Sequence, residues 1–406
     1  MSSLRSASGT RELLEDRLEQ RRAAGTAFFG SESERIARLC HRMAERFARG
    51  GRLIAVGLSP AARSDVRHVA VEFVHPVIVG KRALPALGLA GESGALVREL
   101  ELTVEPDDIV IAFGEPSEGS QLRDGVATAR AHGCLTIAFS ELGAEFVLEP
   151  PSLNEFVRQE LVETTYHVLW ELVHVFFEHR GLLEGRTERR SHDAGASSFL
   201  YPFLAEREDD LDAVLADVRA SVLMKADEVH ELRVATLHGA TSVLADAAAA
   251  TRDRLNDGGR LLALGNGGSA TDAADVVADF VAPPAQFGWP SRRAIDLVAD
   301  TAIITAIAND IGTEAIFARQ VIAHGRAGDV LLALSTSGNS LSVLDALAEA
   351  RRRQLVTIAL VGYDGGRVAA EQLADHIVVT PSQHIPRIQE AQATAYHVLR
   401  ELVELG

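Results

Sequence analysis

The chain has 406 residues, 47% of them hydrophobic and 24% charged, which is the composition of an ordinary soluble globular protein of two to three domains and excludes disorder as the main state. Its net charge of −17 argues against general nucleic-acid binding through a basic face. It leaves room for a small anionic ligand, because backbone N–H groups can hold phosphate without a local cation.

The first stretch, MSSLRSASGTRELLEDRLEQRR, is charged where a secretory signal needs an apolar core, which argues against export by that route. No run approaches the ~20 apolar residues that span a bilayer. Cys40 and Cys134 are the only cysteines. They cannot build a disulfide framework, and a reducing cytoplasm is the expected setting. An amphipathic helical stretch follows at 31–49, then an apolar strand at 52–57, a turn and another helix. Further apolar strands alternate with helical patterns until a long helix closes this half at about 153–179. Residues 183–208 are polar, carry Gly, Ser and Pro, and read as a linker. The second half repeats the plan: helical 210–257, a strand at 260–265, alternating elements, and a closing helix at 385–405.

Four matches in the same order show that the two halves are copies of one domain. Gly50-Gly51-Arg52-Leu53 recurs as Gly258-Gly259-Arg260-Leu261, and Asp108-Ile109-Val110-Ile111-Ala112-Phe113 parallels Asp329-Val330-Leu331-Leu332-Ala333-Leu334. Leu135-Thr136-Ile137-Ala138-Phe139 parallels Val356-Thr357-Ile358-Ala359-Leu360, and Tyr166-His167-Val168-Leu169 recurs as Tyr396-His397-Val398-Leu399. The expected domains are therefore 1–182 and 209–406 on either side of the linker. Short apolar strands alternating with helices predict, in each, a parallel sheet between helices.

Two turns of the second copy carry chemistry: Gly265-Asn266-Gly267-Gly268-Ser269 and Ser335-Thr336-Ser337-Gly338-Asn339-Ser340, each between a strand and a helix. Glycines let backbone approach a ligand, and hydroxyls with helix-start N–H groups supply donors to an anion. The same two turns could instead serve only to join strands to helices and cap them. Both at the carboxyl ends of parallel strands, where such sheets place ligands, favour phosphate.

The second copy resembles the sugar isomerase (SIS) domain and, within that family, the phosphoheptose isomerases. The resemblance rests on the two loops, on Thr305-Ala306-Ile307-Ala308-Asn309-Asp310, on Phe317-Ala318-Arg319-Gln320-Val321 and on Arg387-Ile388-Gln389-Glu390. It implies two tandem flavodoxin-like α/β domains. It also implies a sugar-phosphate substrate, sedoheptulose 7-phosphate or a similar compound. Asn266, Gly267, Gly268, Ser269, Ser335, Thr336, Ser337 and Ser340 would hold the phosphate, with Asp310 and Gln389 also touching substrate.

Moving a proton between neighbouring carbons through an enediol needs a base and an acid or metal. The family resembled here uses a histidine and a glutamate four apart after the first loop and a glutamine and a histidine eight apart on the last helix, and some members bind zinc with this quartet. The second copy keeps Gln389 and His397 but has Asp275 and Asp279 at the other two positions. The first copy keeps all four as His68, Glu72, Gln159 and His167, the expected metal set. Its loops, however, contain Pro60, Glu115 and Glu118, which remove a donor and repel phosphate. The base is therefore Glu72 or Asp279, and the acid or metal ligand His167 or His397. Gln159 and His167 lie about 12 Å apart along one helix, so a complete set would combine helices from two domains or two chains. A homodimer resembling a tetramer of single domains follows as the expected assembly. The rival expectation is a regulator that binds sugar phosphate without turnover.

Overall fold

The computed structural model of the chain describes residues 7–77, 81–90, 95–118, 120–178 and 210–405. The expected linker at 183–208 lies outside the described residues.

The first copy contains β1 (Leu53–Gly57), β2 (Ala86–Leu89), β3 (Ile109–Phe113), β4 (Leu135–Ala138) and β5 (Phe146–Val147), all paired in parallel in the order β2-β1-β3-β4-β5. The second contains β6 (Leu261–Leu264), β7 (Ala294–Asp296), β8 (Val330–Ser335), β9 (Val356–Gly362) and β10 (His376–Thr380), again parallel, in the order β7-β6-β8-β9-β10. Numbered within each copy, both orders are 2-1-3-4-5, the flavodoxin-like arrangement that the resemblance implied.

Helices cover both faces because alternate strand residues feed different cores. In the second copy Leu261, Ala263, Leu332 and Leu334 pack with α7 (Thr241–Asn256), α8 (Gly268–Val281) and α13 (Ile385–Leu405). Their neighbours Leu262, Leu264, Leu331 and Ala333 pack on the other face with α10 (Ile316–His324) and α11 (Leu341–Arg352). Strands buried on both faces read as unbroken apolar runs, which is how the sequence exposed them.

Two helical expectations change. The helix expected at 31–49 is α1 (Ala7–Ala48), 42 residues long, since no proline interrupts that stretch. The helical stretch at 210–257 is two helices, α6 (Leu211–Gly239) and α7, separated at Ala240. The remaining helices are α2 (Pro60–Val74), α3 (Leu96–Thr103), α4 (Ser120–Ala131), α5 (Glu155–Glu178), α9 (Thr301–Asp310) and α12 (Gly366–Ala370). Among the described residues no helix is long and apolar enough to cross a membrane.

Contacts group the chain into two compact units that depart from a linear division. One comprises Met1–Ala23, Glu155–Glu160 and Glu228–Gly406; the other comprises Ala24–Asn154 and Leu161–Asp227. The start of α1 and the first residues of α5 thus join the second copy's sheet, and residues up to Asp227 of α6 join the first.

Candidate active site

In the second sheet, β6 and β8 are neighbours whose chains leave in opposite directions, to β7 on one side and β9 on the other. That is the switch point at which open parallel sheets bind ligands. The two Gly/Ser loops leave these two strands. Gly267 turns the chain with φ +59° into α8, whose first-turn N–H groups lack intrahelical acceptors, and Ser269 lies buried in that turn. In the second loop Gly338 has φ +61°, and a Cβ there would stand 2.2 Å from the Gly365 carbonyl oxygen. Only glycine fits.

The loop is braced from within: Ser335 Oγ accepts the Gly338 N–H at 3.2 Å, and Ser337 Oγ accepts the Asn339 N–H at 3.2 Å. Ser340 is the N-cap of α11 but makes no side-chain capping bond, so its hydroxyl is not spent on the helix. Asn266 joins the two loops by donating to Ser342 Oγ at 3.0 Å. Ser342 escaped the sequence reading although it stands two residues beyond Ser340. Asp310 ends α9 as an exposed residue, bonded at 2.7 Å by Asn309, and bonds neither loop among the described residues.

The corresponding switch point of the first sheet is filled by the chain itself. Glu118 Oε2 accepts the Ser59 N–H at 3.2 Å, from the loop after β1. Its Oε1 accepts the Glu115 N–H at 3.0 Å, from the loop after β3. An internal carboxylate therefore takes the backbone donors that a phosphate would need. The glutamate expected to repel phosphate also replaces it.

The second copy's acid–base candidates lie in the unit that includes residues 155–160. His397 and Asp279 are buried, with His397 Nε2 3.6 Å from Asp279 Oδ2, just beyond hydrogen-bonding distance. His397 Nδ1 lies 2.8 Å from Glu160 Oε1. Glu160 also accepts from Thr394 Oγ1 at 2.5 Å and from Arg21 at 2.6–3.0 Å, and Arg233 stands 3.6 Å away. The Phe156 ring stacks on the imidazole with centroids 4.3 Å apart. Burial alone would raise the Glu160 pKa, but Arg21, His397 and Arg233 together hold it below the ordinary carboxylate range. Burial lowers that of His397 in spite of Glu160. Burial, with Asp275 beside it, raises Asp279 well above the usual value. Glu160 thus holds one ring nitrogen of His397 while the other faces Asp279, and burial favours the neutral form of both His397 and Asp279. Gln389 is buried on α13, eight residues before His397. Glu160, Arg21 and Arg233 were missed from the sequence; the only signal was Glu160 matching Glu390 in the repeat.

In the other unit, His68 and His167 face each other with their Nε2 atoms 3.3 Å apart, and both are buried. Glu163 completes a group whose ligand atoms all lie within 4.8 Å of one another. Glu72 Oε1 is 4.0 Å from His68 Nε2, and Tyr166 Oη shares a hydrogen bond of 2.9 Å with His68 Nδ1. Burial, then His167, pushes the His68 pKa well down, leaving a neutral ring. These residues fit zinc. Two nitrogens on a tetrahedral zinc at ~2.0–2.1 Å stand roughly 3.3 Å apart, and structured sites orient their histidines through the second ring nitrogen. A single N–H···N bond also closes that distance. Of the expected quartet, Gln159 groups with the other unit, and Glu163 takes the place beside His167. Its signal was spacing: Glu163 and His167 are four apart on α5, as His68 and Glu72 are on α2.

The fold and the paired loops define a SIS domain, and the family model for the SIS domain matches residues 226–362. Among known proteins, the chain is 42% identical over 196 residues to the phosphoheptose isomerase of Geobacter sp. strain M21, covering 48% of this chain and 95% of that protein. It is 47% identical over 154 residues to that of Citrifermentans bemidjiense, covering 37% of this chain and 78% of that protein. Across both copies the fold matches the C-terminal domain of a glucosamine-fructose-6-phosphate aminotransferase from Francisella tularensis, with TM-score 0.57 and 9% identity over 96% of this chain and 93% of that one. The chain belongs to the phosphoheptose isomerase family, and it carries the SIS fold twice.

Proposed function

We propose that the chain is a sugar-phosphate isomerase that interconverts a ketose phosphate and an aldose phosphate, with sedoheptulose 7-phosphate as its substrate. The observation that carries this reading is the open loop pair at the second switch point, in a region 42% identical to nearly the whole of a phosphoheptose isomerase. Ser269, Ser335, Thr336, Ser337 and Ser340 hold the phosphate. The reaction removes a proton from the carbon next to the carbonyl carbon, passes through an enediol and returns a proton to the former carbonyl carbon, while the hydroxyl proton moves from one oxygen to the other. This reverses the roles expected from the sequence, which made Asp279 the base and His397 the acid: burial favours a protonated Asp279, suited to donate to the oxygen, and His397 Nε2, with its ring held by Glu160, is suited to accept the proton. His68, Glu163 and His167 would hold zinc, with Glu72 beside them, and zinc would supply Lewis acidity within that unit.

One observation favours a second reading. His397 and Asp279 are only 0% and 5% exposed, and Arg21 and Thr394 tie down the glutamate behind them. A sensor that binds the sugar phosphate without turning it over would also look this way.

Turnover of sedoheptulose 7-phosphate by the full chain, with and without zinc, separates the two. For the isomerase, Ser337→Ala lowers kcat/KM by roughly 10- to 150-fold, the loss of one hydrogen bond to a charged group. His68→Ala abolishes any dependence on zinc. Heat stabilisation by the sugar phosphate with no turnover in either condition establishes the sensor and ends the isomerase reading.

A further inference from the structure

The repeat Gly-Gly-Arg-Leu marks the opposite, amino-terminal end of each sheet, and there the two copies share a backbone but differ in charge. Gly51 N–H donates to Arg46 O and Gly259 N–H to Arg254 O, both at 2.9 Å. Leu53 N–H donates to Pro85 O and Leu261 N–H to Arg293 O, again both at 2.9 Å. Asp108 accepts the N–H groups of Arg52 and Glu105, and Asp329 accepts those of Arg260 and Arg326. These bonds equate Arg46 with Arg254, Pro85 with Arg293, Glu105 with Arg326 and, one residue before each aspartate, Asp107 with Gly328.

In the first copy the cations are spent. Arg49 is bonded to Asp107 at 2.8 Å, and Arg46 donates to the carbonyls of Pro106 and Gly133 at 2.6 and 2.9 Å. In the second copy two of the acids have gone, although Asp257 stands where the first copy has Arg49. Glycine replaces Asp107, arginine replaces Glu105, and a further arginine replaces Pro85. Arg254, Arg293 and Arg326 carry no side-chain hydrogen bond or ion pair among the described residues, whereas Arg260 remains paired with Asp329 at 3.1 Å. All four line one pocket of about 250 Å³, with Asp257 and Asp329 as its only carboxylates.

Four guanidiniums against two carboxylates form a cationic pocket in a chain of net charge −17. Guanidinium forks match phosphoryl oxygens bidentately, and three unpaired forks offer more donors than one phosphate can use. The volume approaches the ~300 Å³ lower end of small-molecule sites.

We propose that this pocket is a second anion site, built for a small ligand bearing a diphosphate group and lying at the opposite end of the sheet from the sugar-phosphate loops. Calorimetric titration of the full chain with inorganic pyrophosphate at low ionic strength tests it. With saturating sugar phosphate present to occupy the loops, wild type is expected to bind one equivalent in the pocket. Arg326→Glu, which restores the acid of the first copy, and Arg293→Ala each weaken it tenfold or more, while Ser337→Ala leaves it unchanged. Both arginines are exposed, so folding is not at stake, and circular dichroism of each variant verifies this. Absence of saturable binding in wild type overturns the proposal. So does affinity kept in both arginine variants, or affinity lost in Ser337→Ala, which would place the ion at the other loops.

Discussion

His167 and His397 occupy the same place in two copies of one helix, yet their surroundings give them different chemistry. His167 has Glu163 one turn before it and His68 opposite, a set of donors that suits a metal ion. At the position of Glu163 the second copy has Ala393, and at that of His68 it has Asp275. His397 instead lies between Glu160 and Asp279. The switch points diverge in the opposite sense: Glu118 accepts from both loops of the first, and among the described residues no carboxylate does so in the second. After duplication, a site can be divided by changing the neighbours of an unchanged residue.

The sharpest way to break this comparison is to remove Glu160. Its carboxylate meets Arg21, Thr394 and His397, and Arg21 and His397 are only 1% and 0% exposed. Deleting one partner of a buried ion pair leaves the other charge desolvated and uncompensated. Glu160→Ala is therefore expected to destabilise the protein by about 3–5 kcal/mol in urea unfolding. A loss under ~1 kcal/mol would mean that the cluster does not fix His397, and the contrast with His167 would fail.

The sheets were legible because doubly buried parallel strands are continuous apolar runs, and the loops because Gly and Ser cluster at their ends. N-terminal helices were expected in the first domain, but the unbroken run of α1 through residues 7–30 was not legible. Gly25 and Gly30 interrupt that stretch, and its apolar residues are divided between two contact units rather than forming one stripe. β5, of two residues, and β7, of three, are only half-buried and too short for a pattern. The two Gly/Ser loops could be located from residue type and spacing alone. Glu160, Glu163 and Arg21 could not, since a carboxylate or guanidinium on a helix ordinarily reads as a solvated face. Their burial depends on packing that spacing does not encode.

A smaller effect sharpens the electrostatic side of the comparison. The folded protein holds the Asp279 proton to higher pH than the unfolded chain does. The stability this contributes is fully present below the unfolded carboxyl pKa of about 4 and is lost as pH rises through the folded value. Asp279→Asn is neutral throughout. It is expected to match wild type near pH 4 and to exceed it at pH 8 by about 1 kcal/mol or more, read as Tm against pH. A difference independent of pH would show that Asp279 is ionised in the fold, and its role as the proton-holding partner of His397 would fall.

The smallest expected effect concerns the amino-terminal ends of the sheets, where the first copy neutralises its arginines with Asp107. Those pairs are partly exposed, Asp107 itself by 46%, so Asp107→Asn is expected to cost at most about 1 kcal/mol. It is also expected to create no pyrophosphate site. Arg46 stays tied to two backbone carbonyls, Glu105 still stands where the second copy has Arg326, and Pro85 supplies no charge where it has Arg293. Only Arg49 is released. A single guanidinium in solvent binds a diphosphate weakly; the second copy's pocket differs by gathering three from separate segments of the chain. Pyrophosphate bound as tightly as by wild type in a double variant, Arg326→Glu with Asp107→Asn, would therefore contradict that account, since its pocket has lost one fork and its first copy has gained only one.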